Sequence, residues 1–369
     1  MRVLFVNTRE DARSNPGGDT VQMEKTQAAL ENLGVEVVVR GPNELGDLPN
    51  CDLAHLFNIQ MPESAWWVFQ KLRQAGLPLV LSSIYWDMLE FWFHCAIEER
   101  ARWRMLAGRF GRRRIRALYL SWQRLKQPLS KPWRLQRRLL LGASRVLPNS
   151  HSEAQRLRWA FGLSAAFQQR VDVIPNGIDV ELYRHPPAPS QRFLDLYGVR
   201  DFILEVGVVN PVKNQLGLIE ALFDLPRPLV ILGQAHPAYP EYYAACQQRA
   251  AERGNVIFIN RLPHHELPGV YALAAVHVLP SWRETPGLVS LEAAASGCRV
   301  VSTEIGSARD YFGEQAWYCR PDDPASIRRA VEAALQAPPS PALRQRILQE
   351  FTWQRAGEAT LSAYEHALH

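Results

Sequence analysis

Short apolar runs separated by polar, proline-rich or glycine-rich loops and by helix-like stretches set the pattern of this chain. The clearest unit is near the carboxyl-terminal third. An apolar run over residues 276–279 stops at Pro280, Pro286-Gly287 breaks the loop, residues 288–296 have helical composition closed by Gly297, and a second apolar run covers 299–302. A strand, loop, helix, strand order of this kind predicts a parallel sheet whose loops open at its carboxyl edge, where ligands of open α/β sheets bind.

The same alternation runs through the rest of the chain. Residues 2–7 read as a strand, 8–19 as a loop holding Pro16-Gly17-Gly18, 20–32 as a helix and 35–40 as a strand, which is a βαβ opening. Further strands are expected at 53–57, 79–83 and 171–174, with a helix at 62–75 ended by Gly76. The run 185–190 is extended by proline and poor in large apolar residues, and so reads as a linker. Beyond it, strands are expected at 202–206, 229–232 and 256–259, with helices at 211–222 and 239–254. The predicted organisation is a first domain over 1–185, a second over 186–351 and a terminal helix over 352–369.

Composition narrows the class. With 369 residues, 47% apolar and 21% charged, the chain is ordinary globular material for two domains. Its five cysteines (Cys51, Cys95, Cys246, Cys298, Cys319) are odd in number and form no C-x-x-C pair, which argues for free thiols in a reducing compartment. The apolar start is broken at Asn7 and Arg9, and no run approaches the roughly 18 apolar residues of a spanning helix, so a soluble, cytoplasmic protein is expected.

The net charge of +5 is unevenly placed: residues 98–138 carry fourteen Arg or Lys against Glu98 and Glu99 alone. Within it, Trp103, Leu106, Phe110, Ile115, Leu118, Trp122 and Leu125 recur mostly three or four apart with arginines between, an amphipathic basic stretch broken near Gly108 and Gly111. Arginines meeting anionic headgroups while Trp and Leu insert would suit a membrane surface or a phosphate-bearing acceptor. A helix packed on its own domain with a solvated basic face is the alternative. Nucleic acid is disfavoured because no recognition motif accompanies the charge.

Candidate chemistry gathers around the central loop. Glu284 and Glu292 frame it, and the helix-start amides of Gly287, Leu288 and Val289 open on the same mouth, ready for an anion. Carboxylates beside a phosphate would be repelled, so these glutamates suit neutral hydroxyls on a ribose and a sugar, or else their spacing is coincidence. Lys213 falls in the first turn of the helix expected at 211–222, where a cation is mildly unfavourable, and a bound anion would compensate. His264-His265 has no further spaced ligand and makes a poor metal site.

The pattern Pro280-Ser281-x-x-Glu284-x-x-Gly287-Leu288-x-x-x-Glu292-Ala293-x-x-x-Gly297 resembles retaining GT-B glycosyltransferases of family 4. The resemblance extends through Val173-Ile174-Pro175-Asn176-Gly177-Ile178-Asp179, Val206-Gly207 with Lys213, and Gly306-Ser307-Ala308 to Pro324. It implies an α/β GT-B fold, two Rossmann-like domains with parallel sheets facing a central cleft. It further implies a retaining, metal-independent transfer that needs no cofactor, from a nucleotide-diphosphate sugar to a glycan or lipid-linked acceptor, as in cell-surface polysaccharide synthesis. Glu284 and Lys213 would be catalytic, Lys213 holding the diphosphate and Glu284 the sugar hydroxyls. Gly18, Gly207, Gly287, Leu288 and Val289 would line the donor, Glu292 would hold the ribose, and the loop of Arg261 and Leu262 the nucleobase. Gly17, Tyr85, Asp87 and Asn149 would meet the acceptor.

Two departures stand out. Many relatives carry a sugar-contacting histidine where this chain reads Ser82-Ser83-Ile84-Tyr85-Trp86-Asp87, and an arginine where it has Val208. Tyr85, Trp86 or Asp87 would take over sugar contact, or would pack in a core with Phe91 and Trp92; His55 and His94 are nearby polar candidates. Arg283 or Arg261 would supply the missing charge. The departures motivate a second reading, a noncatalytic nucleotide-sugar-binding or scaffold protein with the same fold; an epimerase acting on nucleotide sugars is a third.

Overall fold

The computed structural model describes residues 1–12 and 17–369, so Pro16 of the expected Pro16-Gly17-Gly18 loop lies outside the described residues. The chain forms two compact units: Met1–Asn176 with Trp353–His369, and Gly177–Thr352. The proline-rich run 185–190 lies within the second of these.

The first unit is built on strands β1 (Arg2–Asn7), β2 (Glu36–Arg40), β3 (Leu53–Phe57), β4 (Leu79–Ser82) and β5 (Arg145–Val146), all parallel, in the order β2-β1-β3-β4-β5. Val3 to Val6 and Leu53 to Phe57 are fully or almost fully buried, which explains why the strands read as continuous apolar runs: helices cover both faces. One face packs Leu4, Val6, Leu56 and Leu81 against helices Pro62–Gln74 and Lys131–Gly142. On the other face helix Trp353–Leu368 lies close along helix Gly18–Asn32, with Gly357 so near Ala29 that an added Cβ would fall 2.7 Å from the alanine methyl. The strand expected at 171–174 is reduced to a single bridge from Val171 to Val146.

The basic stretch folds as helices Leu89–Glu99, Ala101–Phe110 and Arg112–Lys126, with the break at Gly111 (φ 86°). Trp103, Leu106, Ile115 and Tyr119 turn inward onto Phe93 and Ile97. Phe110, Leu118, Trp122 and Leu125 remain exposed, so the apolar positions that look like one stripe in sequence divide between a small core and the surface.

The second unit has strands β6 (Phe202–Val206), β7 (Leu229–Leu232), β8 (Val256–Ile259), β9 (Ala274–Leu279), β10 (Arg299–Thr303) and β11 (Trp317–Cys319), again all parallel, in the order β11-β10-β9-β6-β7-β8. Alternate strand residues feed two cores: Phe202, Leu204 and Val300 on one face, Ile203, Ile231, Val276 and Val301 on the other. The strand order reverses direction between β6 and β9, so the loops leaving these neighbours diverge and open a crevice between them. In the first unit the equivalent point lies between β1 and β3.

Candidate functional site

Two loops leave the second unit's switch point. After β6, Gly207 is tied to the sheet by its amide, which donates to the Leu232 carbonyl at 2.9 Å. The following turn ends at Asn214, whose φ of 65° sets it apart from the helix Gln215–Ala221. The helix therefore starts four residues later than expected, and Lys213 sits in the preceding turn, its amide donating to the Asn210 carbonyl (3.1 Å) and side chain (3.0 Å). Lys213 therefore lies outside the helix rather than in its first turn, and its position there calls for no compensating anion.

The loop after β9 supplies the partner. Lys213 Nζ donates to Glu284 Oε1 at 2.5 Å, and Glu284 is buried. Its backbone is fixed by contacts with a neighbouring loop: the Ser307 amide donates to the Glu284 carbonyl at 2.9 Å, and Gly306, at φ 132°, lies so close that a Cβ there would fall 2.0 Å from that carbonyl oxygen. Gly287, at φ 82°, starts the helix Leu288–Ala295, and a Cβ on it would stand 3.2 Å from Glu284 Oε2. One carboxylate, one ammonium and the start of a helix thus lie together around the Glu284 side chain. Arg261 is exposed and Leu262 half-buried in the loop after β8, and Val208 is exposed.

Glu292 has a different set of partners. His264 Nε2 lies 2.8 Å from Glu292 Oε1, and the Tyr271 hydroxyl donates to Oε2 at 3.5 Å. The histidine weighed as a poor metal ligand is a hydrogen-bond partner of this carboxylate.

Two ionisable groups here were not anticipated. Glu205, in the middle of β6, is wholly buried with neither carboxylate oxygen hydrogen-bonded among the described residues. Burial pushes its carboxyl well above the ordinary value; Lys213 and the neighbouring Gln215 side chain pull it back and Glu284 adds to the rise. His277 in β9 is also wholly buried, with Nε2 3.0 Å from Ser290 Oγ, and burial together with the Lys213 charge holds it down to about 3. A glutamate inside the run Phe-Ile-Leu-Glu-Val was the available signal for the first.

In the first unit, polar side chains gather at the carboxyl ends of β1, β3 and β5. Gly17 precedes the helix that begins at Gly18, and Asp19 in its first turn accepts from Arg9 Nη1 (2.9 Å), Asn58 Nδ2 (3.0 Å) and Asn7 Nδ2 (3.4 Å). Gln22 exchanges two hydrogen bonds of 2.9 Å with Asn149 and accepts another from Asn176 Nδ2 at 3.2 Å. Asn149 is therefore buried within this network.

The loop after β4 is held by helix His151–Ala160. Glu153, wholly buried, accepts from Ser83 Oγ (2.5 Å) and the Tyr85 amide (2.7 Å) through one oxygen and from the Asn149 amide (2.9 Å) through the other. Burial raises its carboxyl to about 7 against the pull of these donors. One turn further on, Arg156 donates to Asp87 at 3.2 Å and lies over the Trp86 ring. Tyr85 is buried, its ring packed on Phe161 at 5.1 Å, while Trp92 is exposed, so the aromatic core at this loop includes Phe161 rather than Trp92. His55 is buried in β3, with Nδ1 2.6 Å from the Tyr364 hydroxyl and Nε2 2.9 Å from Ser82 Oγ.

Comparison with known proteins adds three findings. Residues 16–182 match the family model described as Glycosyltransferase Family 4, and residues 190–350 that described as Glycosyl transferases group 1. Among curated relatives, a D-inositol 3-phosphate glycosyltransferase of Frankia alni is 30% identical over 252 residues, 62% of this chain and 60% of that protein. An alpha-maltose-1-phosphate synthase of Mycolicibacterium smegmatis is 31% identical over 218 residues, 53% of this chain and 56% of that protein. The chain thus matches little more than half the length of these relatives. Among solved structures, a sucrose-phosphate synthase from Thermosynechococcus elongatus superposes with a TM-score of 0.74 at 18% identity, covering 99% of this chain and 98% of its own. HepE of Anabaena, solved with UDP and glucose, gives 0.65 at 18% identity, covering 99% and 95%.

Proposed function

The chain belongs to the group 1 glycosyl transferases, with a GT-B fold, and from that membership we propose that it moves a sugar from a nucleotide-diphosphate sugar to a glycan or lipid-linked acceptor, with retention and without a metal. The observation that carries the reading is the Lys213–Glu284 pair at the switch point of the second unit, beside the helix start at Gly287. As the glycosyl bond breaks, its electron pair goes to the diphosphate. The growing charge there is offset by Lys213 and by the amides of Gly287 and Leu288, fixed groups that need no reorganisation. Glu284 orients sugar hydroxyls and Glu292, steadied by His264 and Tyr271, the ribose. UDP in the HepE crystals makes uridine nucleotides the first donors to try.

The same reading extends to where the protein works. Met105, Leu118, Leu125 and Leu129 are exposed on the basic helices, and we place this surface against anionic lipid on the cytoplasmic side, within polysaccharide synthesis. Among the described residues, no helix is long and apolar enough to cross a membrane. Sedimentation with anionic vesicles, lost at high salt, is expected.

The decisive experiment is thermal stabilisation of the purified chain by UDP, ADP and GDP, with Lys213→Ala and Glu292→Ala alongside. One nucleotide at a hundred times its dissociation constant adds about 2.7 kcal/mol, and both variants should lose that gain. Stabilisation by none of them defeats the donor assignment; stabilisation without turnover on any acceptor favours a noncatalytic binding protein.

A further inference from the structure

The loop after β4 continues outward into a row of stacked side chains. The Arg156 guanidinium lies 4.6 Å from the centre of the Trp86 ring and 5.4 Å from that of Trp159, and Arg124 covers Trp159 at 4.1 Å. Rings and guanidinium groups thus alternate from the buried Trp86, beside Asp87, to the exposed Trp159. Asp87 neutralises Arg156 at the inner end.

At the outer end, Arg124 and Trp159 form one side of an open cavity of about 550 Å3, with Trp133 and Arg137 also in its wall and no acidic residue lining it. Among the described residues Arg124 makes no hydrogen bond or ion pair, and Arg137 uses its Nε alone, donating to the Phe161 carbonyl at 3.0 Å. Trp133 donates its indole N–H to the Ala160 carbonyl at 2.8 Å, which fixes the ring. Two guanidinium groups with donors to spare face a cavity bounded by two indole rings.

Guanidinium forks fit phosphate or carboxylate oxygens, and indole faces take the apolar face of a sugar ring or a cation. A ligand that satisfies both is an anionic saccharide, its ring on Trp133 and its phosphate or carboxylate between Arg137 and Arg124, the latter held in place by the Trp159 ring. We propose that this ladder and its cavity are a binding site for an anionic sugar unit of the acceptor. The proposal rests on the glycosyltransferase reading above, because the inner end of the ladder is the loop that stands where relatives place a sugar-contacting histidine. It assigns Arg124, Arg137, Trp133 and Trp159 to acceptor selection, away from the donor groups of the second unit.

The test is ligand-observed NMR on the whole chain with glucose 6-phosphate, glucose and inorganic phosphate as probes. Saturation transfer to the ring protons of glucose 6-phosphate is expected, with none to glucose. Inorganic phosphate should compete. Arg124→Gln and Trp159→Ala, both at exposed positions, should each weaken binding roughly tenfold or more, the scale of a lost charge-assisted contact. Equal binding of glucose and glucose 6-phosphate, or binding unchanged in both variants, overturns the proposal. Vesicles carrying phosphatidylinositol, set against vesicles of equal charge carrying phosphatidylserine, tell the sources apart: phosphatidylinositol-specific binding that glucose 6-phosphate displaces places the anion on a lipid headgroup, and soluble binding alone places it on a free glycan. Phosphatidylinositol-specific binding that glucose 6-phosphate leaves intact counts against the site. If sugar phosphate fails to bind while a nucleoside diphosphate still stabilises the chain, this inference falls and the donor reading stands; sugar-phosphate binding lost in Arg124→Gln, with no nucleotide response, gives the converse.

Discussion

Replacing Glu153 by glutamine isolates the energy stored in one buried carboxyl. In the folded first unit this group titrates at about 7, against an ordinary value of 4.5, because burial disfavours its charged form more than Ser83, Tyr85 and Asn149 favour it. At 1.36 kcal/mol for each pH unit, the difference corresponds to about 3 kcal/mol. The sign follows from proton counting. Between 4.5 and 7 the native state holds a proton that the unfolded chain has released, so stability is fully present below pH 4.5 and falls as pH rises to 7. Glutamine cannot titrate. At low pH the variant should be the less stable protein, since its amide N–H2 faces the Asn149 amide where the native group has an acceptor oxygen. As pH rises from 4.5 to 8, the gap between wild type and variant should close by about 3 kcal/mol, all other titrations being common to both. Urea unfolding of the two proteins across that range, monitored by tryptophan fluorescence, measures the gap directly. Parallel stability curves would refute the reasoning and show the carboxyl to be ordinary. Because Glu153 holds both the Tyr85 loop and the Asn149 turn, the same series read by acceptor KM tests whether that loop shapes the acceptor site.

Two further perturbations concern the second unit. Gly306→Ala places a methyl 2.0 Å from the Glu284 carbonyl at a φ of 132°, so stability should fall by about 2 kcal/mol or more and nucleotide stabilisation should weaken with it; thermal unfolding with and without UDP checks both effects. Glu205→Leu removes a buried carboxyl with neither oxygen bonded, and urea unfolding at pH 8 should show a gain of about 1–2 kcal/mol, whereas a loss would mean the carboxyl has a partner in solution.

Parallel sheets announce themselves in sequence because strands buried on both faces need apolar residues throughout. That is why β1, β3, β4, β6, β7, β9 and β10 were legible as runs. β11 was missed: Trp317-Tyr318-Cys319 is three residues long at the sheet edge, with Trp317 and Tyr318 only half-buried, and it leaves no run to find. Residues 171–174 were over-read for the opposite reason, an apolar pair in a segment that bridges the sheet once at Val171 and otherwise holds on by the Asp172 and Ile174 amides, which donate to the Val146 and Pro148 carbonyls. Glu284 and the helix start at Gly287 were legible because motif spacing survives in sequence, whereas the ion-pair partner Lys213 stands 71 residues away and no spacing encodes the pairing. The start of the helix after Lys213 was not, since Pro211 suits a first turn and only Asn214, able to adopt positive φ, postpones it. Glu153 and Arg156 escaped notice because their roles depend on what stands across from them, some 70 residues earlier in the chain. The ladder from Trp86 to Arg124 escaped for the same reason: it draws on three separate segments, and no spacing encodes it.

Helix Trp353–Leu368 belongs to the first unit, where it lies along helix Gly18–Asn32 and sends Tyr364 to the buried His55. The second unit is continuous from Gly177 to Thr352. On the ribosome, therefore, the unit that comes later in the chain has all its parts first. Its six strands can close while the opening sheet still waits for its last covering helix, leaving Phe5, His55 and Phe57 without the layer that seals them. Vectorial synthesis here completes the molecule from the middle outward, and the earliest residues to emerge are among the last to be secured.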